Sequence, residues 1–145
     1  MKIKVVILRS AGEKAFCAGA SFVELSNINS SSQGENFFNG FAQVINSMRK
    51  CPKFILARIQ GKCVGGGVGI AAAADYAIAV TGADIKLSEL EIGIGPFVVG
   101  PAVERKIGPF RFFAVGHRCF VLAYGRLGEN TRSLFRSAYK SPGSG

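Results

Sequence analysis

The 145-residue chain is 48% apolar and 19% charged, which fits one globular domain with a hydrophobic core and excludes a disordered polypeptide. Its net charge of +9 does not predict a nucleic-acid-binding protein, because residues 109–145, with 6 basic and 1 acidic side chain, contribute more than half of it and no binding motif accompanies them. The longest apolar run near the centre, Cys63 to Ala74, is too short to span a membrane, and four cysteines without a CxxC pair predict reduced thiols in the cytoplasm rather than a disulfide framework or a metal site.

The first part of the chain alternates between strand and helix patterns. Ser21 is a candidate N-cap, Ser32 and Glu35 form a candidate capping box, and Pro52 ends the longest helical pattern. In chain order, we predict a strand at Lys4 to Arg9, a turn at residues 10–14, a short helix at Phe22 to Leu25, a polar loop at Ser26 to Gly34, a helix at Phe37 to Met48 and a strand at Phe54 to Ile59.

A glycine-rich stretch then precedes a run of alanines. Gly65, Gly66 and Gly67 are consecutive, and Gly69 follows just before Ala71 to Ala74. Ordered glycine loses much entropy, so such a cluster indicates positive φ angles or a ligand close to the backbone. We interpret it as a loop that leads into a helix whose first N–H groups face an anion or a developing oxyanion. Two alternatives stay open: tight packing of a buried helix, and a dinucleotide-binding motif, because Gly67 to Ala72 fits GxGxx(G/A).

The later elements continue the alternation, which indicates an α/β fold. We predict a strand at Tyr76 to Val80, a turn at residues 81–84, a short strand at Ile85 to Leu87, a loop at residues 92–96 and a helix at Val98 to Ile107. Residues 109–145 keep neither a helical nor a strand period. We therefore assign residues 1–108 to the core and residues 109–145 to a divergent basic tail, either disordered or produced by a reading-frame shift.

Three motifs in the same order resemble the enoyl-CoA hydratase/isomerase, or crotonase, superfamily. They are FCAGAS at Phe16 to Ser21, GKCVGGGVGIAAAADYAIA at Gly61 to Ala79, and KLSELEIGIGPFVVGPAVERKIG at Lys86 to Gly108. The resemblance implies a spiral of ββα units, here incomplete at both ends, that binds an acyl-CoA thioester. It also implies a homo-oligomer, a trimer or hexamer, for the complete protein.

The resemblance assigns roles to six residues of this chain. The amides of Ala20 and Gly66 correspond to the oxyanion hole that stabilises a thioester enolate. Ala18, Ser21 and Phe22 correspond to the loop that meets coenzyme A, which enters as part of the substrate; no separate cofactor and no metal are expected. Glu89 corresponds to one of two catalytic glutamates of the hydratases.

The second catalytic glutamate is absent, because Gly69 occupies its position. One carboxylate can still move a proton as an isomerase does, and we expect double-bond migration to be faster than hydration and a glutamate at position 69 to improve hydration. The apolar neighbours of Glu89 should raise its pKa by desolvation. Glu91 is an alternative acid. A dinucleotide-binding oxidoreductase and a non-catalytic crotonase-like remnant are the competing functions.

Overall fold

The computed structural model describes residues 3–109, except the side chains of residues 90 and 91. Its elements, in chain order, are β1 (Val5–Leu8), β2 (Ala15–Cys17), α1 (Phe22–Ser26), α2 (Ser31–Lys50), β3 (Phe54–Ile59), β4 (Lys62–Val64), α3 (Gly66–Ala73), β5 (Tyr76–Ala79), β6 (Ile85–Lys86), a 3₁₀ helix (Ser88–Ile92) and α4 (Gly100–Ile107). The predictions for the tail beyond Pro109 lie outside the described residues.

The strands divide alternately between two parallel sheets. The odd-numbered strands form one sheet in the order β1-β3-β5, and the even-numbered strands form the other in the order β2-β4-β6. Each pair of consecutive strands, one in each sheet, is followed by helix, so the chain repeats a ββα unit three times. This arrangement confirms the predicted α/β fold built from a spiral of ββα units.

The β1-β3-β5 sheet is buried on one face only. Ala57 and Ile59 of β3 and Ala77 of β5 are fully buried, whereas Phe54 and Ile7 point outward and are exposed. The same hydrophobic core includes Val68, Ala71, Ala72 and Ala73 of α3. This helix contacts β2 and β4 of the other sheet, and its small side chains allow a close approach. The start of α3, where the glycine cluster lies, is thereby held in place by the core.

The long helix α2 begins earlier than the sequence predicted. Oγ of Ser30 accepts a hydrogen bond from the amide of Gln33 at 3.3 Å, and the Gln33 side chain accepts one from the amide of Asn29 at 2.8 Å. Ser30 is thus the N-cap, two positions before the predicted Ser32, and the pair resembles a capping box except that Gln33 binds the amide of the residue before the N-cap. The prediction that the polar loop extends to Gly34 was therefore wrong for residues 31–34. Serine is common both in loops and at the start of helices, so the sequence did not distinguish the two.

Two strands were missed and one helix was placed too early. The three-residue strands β2 and β4 are too short to show a period of two. Helix α4 begins at Gly100 rather than at Val98, and Lys106 near its end reaches back to α3. Its Nζ donates to the carbonyl oxygens of Ala74 and Asp75, both at 2.7 Å. Among residues 3–109, no helix is both long and apolar enough to cross a membrane.

Candidate functional site

The loop at residues 18–20 packs against the start of α3. Gly19 has a φ of +87°, and a Cβ atom at this position would lie 3.2 Å from the carbonyl oxygen of Val64. A Cβ atom on Gly67 would lie 2.7 Å from Cβ of Cys17. Glycine is required at both positions by these close contacts. The contacts bring Ala20 and Gly66, which are far apart in the sequence, to the same place.

One cavity of about 210 Å³ joins most of the predicted site residues. Ala20, Gly66 and Glu89 line it together with Ala18 and Phe22. Ser21 instead lines a neighbouring cleft, and its Oγ accepts a hydrogen bond from the amide of Glu24 at 3.3 Å. Ser21 is therefore the N-cap of α1, as its position in the sequence indicated.

Two backbone N–H groups are available at the cavity. Gly65 is the N-cap of α3 and has no side chain to cap the helix, so the amide of Gly66 belongs to a first turn without internal acceptors. The amide of Ala20 has no backbone acceptor within residues 3–109. Free amides at a helix start carry the positive end of the helix dipole and favour a negatively charged oxygen.

The carboxyl group of Glu89 lies directly beside this helix start. Glu89 is on the 3₁₀ helix that follows β6, and a Cβ atom on Gly65 would lie 3.3 Å from its Oε1 and 3.1 Å from Oγ of Ser88. Its Oε2 is buried and has no hydrogen-bond partner in the described part of the chain. A buried carboxylate oxygen without a partner is costly for stability, which is typical of a group that acts on a ligand.

Burial is also what raises the pKa of Glu89 above its ordinary value, while a hydrogen bond from its own backbone opposes the rise. The direction and the main cause agree with the prediction from its apolar neighbours. A raised pKa makes the carboxylate a stronger base than a solvated one and brings its proton transfer closer to neutral pH.

The walls of the cavity are otherwise apolar. Ser88 and Glu89 contribute the polar side chains among the lining residues, and three phenylalanines of α2 form one side. Phe37 and Phe38 make an edge-to-face contact with ring centroids 5.1 Å apart. The ring of Phe41 lies over Gly66, where a Cβ atom would come within 2.5 Å of its Cζ. From the sequence, these rings were predicted only as the apolar face of a helix. The structure shows that they are half-buried, as side chains that line a pocket are.

Position 69 has no room for the glutamate that the resemblance places there. Gly69 is buried in α3, and a Cβ atom would lie 2.5 Å from Cγ1 of Val99 and 3.2 Å from Cδ1 of Ile45. A glutamate at this position would have to displace Val99, so this packing argues against the expectation that it improves hydration, which stays a prediction. The alternative acid, Glu91, has a side chain outside the described part of the structure.

The same helix removes the structural basis for the dinucleotide-binding alternative. Gly67 and Gly69 lie inside α3 rather than in a turn between a strand and a helix, and both are explained by close packing. The packing alternative is thus correct for these two glycines. Gly65, with a φ of +55°, and Gly66 are the two that face the cavity.

The thiols and acids of the described residues form no other reactive cluster. Within residues 3–109, no group of three or more His, Cys, Asp and Glu residues is arranged to hold a metal ion. Cys63 in β4 is the register partner of Cys17 in β2. Burial is the main cause that raises the pKa of the Cys63 thiol to about 12, and the nearby Cys17 is the second cause. Cys63 is therefore a protonated core residue.

The chain is similar to one protein family and to curated proteins. The model described as enoyl-CoA hydratase/isomerase matches residues 1–114. The mitochondrial 3-hydroxyisobutyryl-CoA hydrolase of Bos taurus is 32% identical over 115 residues, which cover 75% of this chain and 30% of that protein. The mitochondrial methylglutaconyl-CoA hydratase of Mus musculus is 35% identical over 95 residues, 66% of this chain and 30% of that protein.

Solved structures of related enzymes have the same fold. An enoyl-CoA hydratase/isomerase (crotonase) from Legionella pneumophila superimposes with a TM-score of 0.78 at 30% identity, covering 84% of this chain and 48% of that one. An enoyl-CoA hydratase from Bacillus anthracis gives a TM-score of 0.73 at 33% identity, covering 79% and 44%. The chain thus spans less than half of these solved chains and about 30% of the curated relatives.

Proposed function

Because the chain belongs to the enoyl-CoA hydratase/isomerase family, we propose that it binds an acyl-CoA thioester in the cavity between the 18–20 loop and α3 and moves a proton on the acyl chain. The observation that carries the proposal is that one apolar cavity contains two small residues with free amides, Ala20 and Gly66, and a buried carboxylate, Glu89.

The two amides act on the thioester oxygen. Removing a proton from the α-carbon turns the thioester into an enolate, and the negative charge develops on that oxygen. The N–H groups of Ala20 and Gly66 donate to it and stabilise the charge without reorganising, because α3 is fixed by the core. No side chain is needed at either position, which is consistent with alanine and glycine there.

Glu89 supplies the proton transfer. Its carboxylate takes a proton from the α-carbon of a 3-enoyl thioester, and the electron pair of the C–H bond moves into the enolate. The protonated Glu89 then returns the proton to the γ-carbon, the double bond moves to the conjugated position, and the carboxylate is regenerated. One carboxylate is sufficient for this isomerisation, since no atom of water enters the product.

Hydration places a further demand on the site, because water must also be activated. Glu89 is the one titratable side chain among the described residues that line the cavity, and Gly69 provides no second acid. We therefore propose isomerisation as the faster reaction and hydration as the slower one.

The apolar walls favour an uncharged hydrocarbon chain as the acyl group. Burying an unpaired charge against the phenylalanines of α2 would be unfavourable. We assign the coenzyme A part to Ala18 and Phe22 of this loop, which line the cavity, and the ring of Phe22 is exposed. Ser21 lines the neighbouring cleft instead.

Two variants of Gly66 test the position of the thioester oxygen. Gly66→Ala and Gly66→Pro both place a Cβ atom against Phe41, but only proline removes the N–H group. We expect turnover of a 3-enoyl-CoA to be about 10²–10³-fold slower for Gly66→Pro than for Gly66→Ala. Equal rates for the two folded variants would contradict the oxyanion assignment, and isothermal titration with butyryl-CoA would show whether binding alone has changed.

A further inference from the structure

A second cleft of about 450 Å³ lies beside the candidate acyl site. It is formed by the loop at residues 19–21 together with α1, α2 and α3, and Glu24, Gly40, Val44 and Ile70 are among its lining residues. Glu24, Gly40 and Val44 are exposed, so the cleft is open at the surface. The cleft is not evident from the sequence, because its walls come from segments that are separate in the chain.

The two cavities share a wall. Ala20, Phe37 and Phe41 line both of them. The ring of Phe41 lies over Gly66, which lines the candidate acyl site, and Val44 of the same helix lines the cleft. Phe41 and Val44 are separated by three positions and therefore lie on the same face of α2.

The chemistry of the cleft beyond Phe41 suits a hydrocarbon chain. Val44 and Ile70 provide apolar surface, and Val44 is 45% exposed although it faces this concave region. Gly40 has no side chain, and a Cβ atom there would meet nothing within 4 Å. Gly40 therefore leaves open space at this part of the cleft, next to the wall that Phe41 shares with the cavity containing Glu89.

We propose that the ring of Phe41 sets the acyl-chain length that the site accepts, and that the second cleft holds the distal methylene groups of a long acyl chain when this ring is removed. The proposal rests on the proposed function, because it places the thioester at Ala20 and Gly66. It makes Phe41 a specificity-determining residue rather than a catalytic one.

The test compares the binding of butyryl-, hexanoyl-, octanoyl- and decanoyl-CoA by isothermal titration. Each methylene group that becomes buried strengthens binding about fourfold. For the unmodified chain, affinity rises with chain length and then stops rising where the acyl chain reaches Phe41. For Phe41→Ala, the rise continues for at least two further methylene groups, so the longer ligands bind roughly fifteenfold more tightly relative to butyryl-CoA.

A second substitution closes the new space again. In Phe41→Ala/Gly40→Phe, the added ring fills the cleft, and the length limit returns toward that of the unmodified chain. Phe54→Ala, on the exposed face of the β1-β3-β5 sheet, controls for the loss of an aromatic ring. If Phe41→Ala does not fold, Phe41→Leu gives a smaller shift in the same direction.

The outcomes separate this inference from the proposed function. If the unmodified chain binds no acyl-CoA of any length, both are overturned. If it binds butyryl-CoA but Phe41→Ala has the same length limit, only the role of Phe41 is overturned. If Phe41→Ala extends the limit but Gly40→Phe fails to restore it, the assignment of the distal methylene groups to the second cleft is overturned.

Discussion

The carboxyl group of Glu89 lies so close to Gly65 that a Cβ atom on the glycine would be 3.3 Å from Oε1. Gly65 has a φ of +55°, and its amide donates to the carbonyl oxygen of Lys86 at 2.9 Å, just before the 3₁₀ helix. The glycine that opens α3 therefore also fixes where the carboxylate stands. The oxyanion donor of Gly66 and the base are positioned by the same turn of backbone.

Substitution of Gly65 by alanine should reduce both stability and activity. The positive φ makes alanine unfavourable by about 1–2 kcal/mol, and the new methyl group displaces Glu89. Gly82→Ala is the matched control, because Gly82 has a φ of +89° but no atom near its would-be Cβ. We expect similar losses in the free energy of unfolding by urea denaturation, whereas turnover falls only in Gly65→Ala. Equal activities of the two variants would show that contact with Glu89 is unimportant.

Replacing Glu89 with glutamine should stabilise the fold at neutral pH. Burial raises the pKa of Glu89 in the folded state, so the folded protein favours the neutral carboxyl group. This preference stabilises the fold, and its contribution to the free energy of unfolding is complete at a pH below the unfolded-state pKa. This contribution is lost as the pH rises through the folded-state pKa. The melting temperature of Glu89→Gln should therefore exceed that of the unmodified chain at neutral pH and converge with it below about pH 4. Glu13→Gln, at an exposed turn, is the control for losing a surface charge. A difference in melting temperature between Glu89→Gln and the unmodified chain that does not change with pH would argue against this account.

Lys106 contributes two hydrogen bonds to the contact between α4 and the end of α3. Its ammonium group donates to the carbonyl oxygens of Ala74 and Asp75. Burial is the main cause that lowers the pKa of Lys106, and Arg105 lowers it further, whereas the charge of Asp75 raises it. Lys106→Met keeps much of the aliphatic chain but leaves the end of α3 without these donors. We expect a loss of about 1–2 kcal/mol in the free energy of unfolding, reduced from the buried value because the site is partly exposed. Arg105→Met, at an exposed neighbouring position, should change it by less than about 0.5 kcal/mol.

The parts of the site that are local in sequence could be predicted. Three glycines in a row before alanines predicted the helix start, and the resemblance of the motifs to the crotonase family implied that Glu89 would join Ala20 and Gly66. The apolar neighbours of Glu89 predicted the direction of its pKa shift.

The parts that depend on contacts between distant elements could not be predicted. The period of Phe37 and Phe41 is the same whether a ring fills a core or lines a pocket, and only the position of α2 over Gly66 distinguishes them. Gly69 looked like a vacant position for an acid, but Val99 and Ile45 occupy the space around it. The short strands β2 and β4 have too few residues to show a pattern, although they position both loops of the site.

The central claim is that Glu89 alone moves the proton, and the most direct measurement compares two reactions in parallel. The unmodified chain and Glu89→Gln are each given 3-hexenoyl-CoA, to follow double-bond migration, and crotonyl-CoA, to follow hydration, with butyryl-CoA binding measured on both proteins. We expect migration to be faster than hydration in the unmodified chain, and Glu89→Gln to slow migration by about 10²–10⁴ while butyryl-CoA still binds. Migration that continues at full rate in Glu89→Gln, or hydration that is faster than migration and indifferent to the substitution, would contradict the account.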